Sequence, residues 1–149
     1  MKRFNYLLLI LISLFAFSCN TKTTSEPAES HDEHAKHETV ISNADILLDN
    51  GEKWKANIET TEGIKTMQNI CSHYSGNVAD VENTYLSLLS EFNMIFEKCT
   101  MTGDAHEQLH AFLIPVKNQL AVLKDCKSDC DKEVKFLNEY LATYYTYFE

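Results

Sequence analysis

Between Val78 and Lys98 the apolar residues recur in alternating steps of three and four: Val78, Val81, Tyr85, Leu88, Leu89, Phe92, Ile95 and Phe96, with Cys99 continuing the face. A period of 3.6 gathers that spacing into one stripe, so the segment is a helix and not a strand. A one-sided helix must bury its stripe against another layer, and the flanking sequence supplies three partners of the same kind. The first, over about 52–74, carries Trp54, Ile58, Thr61, Ile64, Met67, Ile70, Cys71 and Tyr74, with Gly63 weakening its middle. Another opens at Asp104, spaced from Glu107 as in a capping box, and presents His106, Leu109, Leu113, Val116, Leu120 and Leu123. Pro115 lies inside it, which predicts a kink or a division into two pieces. The last begins near 128–129 and presents Val134, Leu137, Leu141, Tyr144 and Phe148.

The connections, marked by Gly76 and Gly103, are only a few residues long. Four such helices on short loops predict an all-α, up-and-down antiparallel four-helix bundle over residues 40–149. Val40 to Asn50 is ambiguous between a helical turn and an extended piece, and Asp49-Asn50-Gly51 signals a turn.

That topology turns sequence spacing into distance. Cys71, His73, Cys126 and Cys130 share one pole, whereas Cys99, Met101, His106 and His110 share the other. A helix of 20 residues is about 30 Å long, far beyond the reach of a disulfide. One disulfide is therefore expected among Cys71, Cys126 and Cys130, with Cys99 excluded; a second soft-metal site built from these three and His73 is the alternative at that pole.

Ahead of the bundle stand a basic start, Lys2-Arg3, an apolar run from Tyr6 to Phe17, and Ser18-Cys19. The run is shorter than the ~20 residues that span a bilayer, and its layout is that of a secretion signal. The segment Leu14-Phe15-Ala16-Phe17-Ser18-Cys19 resembles the lipobox of bacterial lipoproteins, though Leu is commoner where Ala16 stands and a smaller residue where Phe17 stands. The resemblance implies removal of residues 1–18 and acylation of Cys19, so that the protein is held to a membrane by its lipid. Asn20 resembles the residue that leaves such proteins on the periplasmic face of the outer membrane.

Residues 19–39 lack apolar side chains larger than alanine until the bundle begins and are expected to be a flexible tether. Within it, His31, His34 and His37 form a tract able to gather metal ions weakly, or simply a solvated spacer. The net charge of −9, more negative once Lys2 and Arg3 are removed, makes nucleic acid and anionic membrane surfaces poor partners.

The chemistry concentrates in Cys99-Thr-Met101-Thr-Gly-Asp-Ala-His106-Glu-Gln-Leu-His110. His106 and His110 are one helical turn apart, Cys99 closes the preceding helix, and Met101 lies in the turn that Gly103 lets fold back. Thiolate, thioether and imidazole are a soft donor set that favours copper, above all Cu(I). Zinc would accept the cysteine and histidines but gain little from Met101, and haem would lack a Cys-x-x-Cys-His attachment. Asp104 and Glu107 are placed to orient the rings. Against this stands the plain reading: a half-buried histidine, an exposed one, a packed loop methionine and a small buried thiol.

The same segment, from Phe96 to His110, together with Gly51 and Trp54, resembles small lipoproteins of Bacteroidota that accompany heavy-metal resistance systems. That group has no established activity, so the resemblance implies metal handling without a mechanism. No nucleophile elbow, phosphate loop or zinc-protease helix appears, and Glu107-Gln-Leu-His110 gives only one of the two Glu-x-x-His motifs of a di-iron bundle. The chain is therefore read as no enzyme, but as a cell-envelope protein that binds, sequesters or hands on a soft metal, with an envelope metal-transport or efflux protein as partner. The alternative is a non-catalytic structural or interaction lipoprotein that binds an envelope partner through its helices. Tyr140, Tyr144, Tyr145, Tyr147 and Phe148 crowd the C-terminus on more faces than one core can absorb, so some must be exposed, cover a partner, or cap the bundle end.

Overall fold

A computed structural model describes residues 46–149. The expectations for Cys19 and for His31, His34 and His37 lie outside these residues. The described part is all-α: α1 (Ile58–Ser72), a 3-10 turn (Val78–Asp80), α2 (Val81–Lys98), α3 (Gly103–Asp125), α4 (Cys130–Ala142) and a single turn, α5 (Tyr144–Tyr147). Four long helices pack in a ring, each against its neighbours in sequence and α1 against α4. No helix among the described residues is long and apolar enough to cross a membrane.

Side chains tie neighbouring helices together. Asn57, ahead of α1, donates through Nδ2 to the Lys98 carbonyl at the end of α2, 3.2 Å away. Between α3 and α4, Gln119 donates to the Glu133 carboxylate at 2.6 Å, and Tyr140 donates to the Phe112 carbonyl at 3.1 Å. The core is one cluster in which Ile64, Met67, Leu88, Ile95, Leu109, Phe112, Leu123, Leu137 and Tyr144 are fully buried. Gly63 has a packing reason to be small: a Cβ there would stand 2.5 Å from Cγ1 of Ile95, so α1 and α2 approach closely at that point.

Several sequence expectations are corrected. The first helix begins at Ile58, not near residue 52, and Trp54 does not lie on its stripe. Trp54 belongs to an extended segment, where its N–H donates to the Tyr147 carbonyl (2.8 Å) and its carbonyl accepts from Glu149 N–H (3.0 Å). These bonds to the far end of the chain satisfy the backbone groups that a helix would otherwise have used. Ile58, the first residue of α1, is largely exposed. Val78 and Phe96 also face solvent, because α2 buries the narrower set Val81, Leu88, Phe92 and Ile95.

The Asp104–Glu107 capping box does not form: the cap position is Thr102, two residues earlier, and Asp104 lies within the first turn. There its charge still complements the helix dipole. Pro115 neither ends nor divides α3, which runs unbroken for 23 residues. The fourth helix stops at Ala142 and gives way to α5, after which Phe148 is extended.

At the entry to the bundle, Asp49 and Glu52 exchange both backbone hydrogen bonds at 2.9 Å around Asn50 (φ 51°) and Gly51 (φ 95°). Two successive positive φ values are what an Asn-Gly tight turn supplies.

Candidate metal centre

The last turn of α2 meets the first turns of α3 because the link between them reverses within four residues. Cys99 leaves the helix with extended torsions (φ −64°, ψ 122°), and Gly103 enters α3 at φ 63°, a region that side chains resist. The reversal sets Cys99 opposite His106, with Sγ 3.6 Å from Nδ1. One turn along, Phe96 lies opposite His110, ring edge to ring face, with centroids 5.7 Å apart. The rings of His106 and His110 are tilted against each other at 4.3 Å. Cys99, Met101 and His106 are half-buried, with Cys99 and Met101 packed on the core, while His110 is exposed.

Two hydroxyls that sequence spacing did not reveal border this end. Tyr144 is fully buried, and its hydroxyl shares a 3.0 Å hydrogen bond with that of Thr61. Burial pushes the Tyr144 hydroxyl up to about 12; the bond to Thr61 works against the rise, and the charges of Tyr145 and Cys99 add to it. Cys99 thus lies within the electrostatic neighbourhood of Tyr144. The 83 residues between Thr61 and Tyr144 explain why no local pattern pairs them.

The end is closed by the entry segment and the C-terminus. The Leu47 N–H donates to Gln108 Oε1 of α3 at 2.7 Å, and the Trp54 indole donates to the Leu47 carbonyl at 2.6 Å. Trp54 bridges to Phe148, and Phe148 stacks on Tyr144 with centroids 4.9 Å apart. The crowded C-terminal aromatics are therefore largely absorbed: Tyr140, Tyr144 and Phe148 are buried, Tyr147 is half-buried, and Tyr145 is exposed.

Whether a metal fits can be judged from the Cys99–His106 spacing. A thiolate at about 2.3 Å and an imidazole nitrogen at about 2.0 Å from one tetrahedral ion stand about 3.5 Å apart. Cys99 and His106 are 3.6 Å apart, so they are spaced as two ligands of one ion; the same spacing also serves a thiol–imidazole hydrogen bond. Among the described residues, no three His, Cys, Asp or Glu side chains gather into a group that could hold a metal ion. The expected orienting role of Asp104 and Glu107 is not seen: both are exposed, and neither bonds to His106 or His110.

The other pole is chemically closed. Cys126 and Cys130 are joined in a disulfide across the α3–α4 turn, which leaves Cys71 and Cys99 as the free thiols of the described residues. Both bonded sulfurs are thereby lost to a metal site at this pole. Burial pushes the Cys71 thiol up to about 12. His73 is exposed, and its Nδ1 lies 2.8 Å from the Asn69 carbonyl of its own helix.

Comparison with known protein families, with curated proteins and with solved structures gives no match. The site is accordingly read from its own donors.

Proposed function

We propose that the chain is a lipid-anchored protein of the bacterial cell envelope that binds a soft metal ion, Cu(I) foremost, at Cys99 and His106. The single observation behind this reading is the 3.6 Å separation of Cys99 Sγ and His106 Nδ1, both side chains half-buried. Met101 supplies a thioether in the same turn, which suits Cu(I) better than zinc. Acylation at Cys19 would hold the domain at the membrane, and His31, His34 and His37 would raise the local supply of ion. The role is capture or transfer, not catalysis.

The test is a Cu(I) titration of residues 20–149, reduced and anaerobic, against a competing chelator, beside a Cys99→Ser, His106→Ala double variant. Stoichiometric binding tighter than about micromolar that is lost in the variant is expected. Equal, weak binding by both proteins would end the metal reading.

The second reading, an envelope interaction protein, draws on the exposed apolar side chains Leu86, Met94 and Phe96 of α2 and Ile114 of α3. On that reading a Leu86→Glu, Met94→Glu variant loses an envelope partner captured by the wild type, while Cu(I) affinity is untouched.

A further inference from the structure

The disulfide that closes the α3–α4 end to a metal leaves that end open to a thiol. We propose that Cys126 and Cys130 form an exchangeable disulfide, attacked at Cys126 by the thiolate of a cysteine-bearing polypeptide that lies in the groove between α2 and α3. This stands apart from the metal reading and does not depend on it.

The two bonded cysteines are not equivalent. Cys126 stands where α3 ends, with extended torsions (φ −64°, ψ 130°), and it lines a surface groove of about 620 Å³ between the start of α2 and the end of α3. It keeps 8% of its surface, whereas Cys130 keeps 1% and takes no part in the groove wall. A thiolate arriving from the groove therefore meets Cys126 first, and the bond it breaks expels Cys130. Cys130 is placed to leave. It is the first residue of α4, a helix of 13 residues whose N-terminus carries no side-chain cap. Asp129, in the cap position, has left-handed torsions and accepts from Lys132 Nζ at 2.5 Å instead. The dipole of that first turn stabilises a thiolate at Cys130, and a leaving thiol of lower pKa departs faster. Asp131 and Glu133 in the same turn work against this, and Lys132 works with it.

The groove selects the attacker. Val78, Tyr85 and Leu86 give it an apolar wall, with Val78 and Leu86 exposed, and Lys124 and Lys127 flank Cys126. Glu82 and Asp125 balance the two lysines, so the groove is locally neutral in a chain of net charge −9. An anionic thiolate is repelled least there, and apolar neighbours of the attacking cysteine would cover the wall. A small free thiol brings no such neighbours, which favours a cysteine carried by a polypeptide.

The exchange balances. The partner's thiolate bonds to Cys126 Sγ as the Cys126–Cys130 bond breaks, and Cys130 leaves as a thiolate that takes up a proton. A second thiolate of the partner then attacks the partner's own bonded sulfur, releases Cys126 as a thiolate and closes a disulfide within the partner. Two electrons pass from the partner's dithiol, which is oxidised, to Cys126 and Cys130, which are reduced.

The experiment treats the native oxidised chain with either of two cysteine peptides, one flanked by leucines and one by serines. Reaction is stopped early with acid, the mixed disulfide is mapped by mass spectrometry, and rates are compared at equal thiolate concentration. Cys71 and Cys99 are free thiols and take no adduct from a thiol reagent. The adduct is expected on Cys126 with Cys130 free, and the leucine peptide should react about tenfold faster than the serine peptide. Leu86→Glu, at an exposed position, should abolish that preference while circular dichroism shows the fold intact. Sub-denaturing urea separates attack in the groove from attack on an opened fold, since only the second accelerates with urea. An adduct on Cys130, equal rates for the two peptides, a preference that survives in Leu86→Glu, or a rate that climbs with urea would each overturn the proposal.

Discussion

At one end of the bundle Cys126 and Cys130 are joined and Cys71 is buried, whereas at the other Cys99 stands half-open beside an imidazole. Both ends are short links between helices that open on a cysteine. They differ in how they are closed. The α3–α4 turn is tied covalently within a few residues, which uses its sulfurs. The Cys99 end is closed by parts of the chain far apart in sequence, Trp54, Thr61, Tyr144 and Phe148, and its thiol stays unoxidised beside His106. A cysteine's chemistry is thus decided by what closes the structure around it.

The contrast is broken most directly by removing the non-covalent closure. Phe148→Ala deletes a fully buried ring stacked on Tyr144 and should cost about 3–5 kcal/mol in urea unfolding. A cost under about 1 kcal/mol would mean that the C-terminus does not close this end. Next in size is the covalent closure: Cys126→Ser with Cys130→Ser releases a loop of sequence separation 4 and should cost about 2 kcal/mol on the chain-entropy account. Cu(I) affinity should not change, and if it fell, the two ends would be coupled.

A third effect is silent at neutral pH. Cys71 and Tyr144 are held neutral in the fold, each raised to about 12 by burial, from ordinary values of 9.0 and 10.0. The unfolded chain therefore loses these protons first. Their contribution to stability is complete below about pH 9 and falls as pH rises toward 12. Unfolding followed by circular dichroism across that range should show the decline, and Cys71→Ala should make it shallower. The smallest perturbation is a thiol count on the metal-free native protein with a chromogenic disulfide. Cys99 should react at once and Cys71 only as the fold opens, in keeping with their burial. Two equally fast thiols would erase the distinction between the ends.

How far the fold is legible in the sequence follows from how local its causes are. The α2 stripe through Val81, Leu88, Phe92 and Ile95 is written in consecutive turns, and the four helices are readable from such rhythms. The start of α1 is not, because Trp54 is taken out of the helix by bonds to Tyr147 and Glu149, more than 90 residues away. The capping box at Asp104 has the right letters, but Gly103 already turns the chain into α3, so Thr102 becomes the cap position. The same division holds for the candidate site. Cys99 and His106 are seven residues apart across one tight turn, and their proximity was readable. Thr61 and Tyr144 arrive from opposite ends of the domain, and Phe96, which continues the α2 rhythm, is exposed with its ring against His110.

The bridge between Trp54 and Phe148 also has a place in time. It joins parts of the chain about as far apart as any in the domain, so its loop-closure cost falls due after the helix pairs have met. What assembles last with few bonds tends to open first, through fluctuations well short of unfolding. The backbone amides of Trp54, Ala56 and Glu149 should then exchange with solvent hydrogen sooner than those of mid-α3. The end that carries Cys99 is therefore expected to open ahead of the disulfide end.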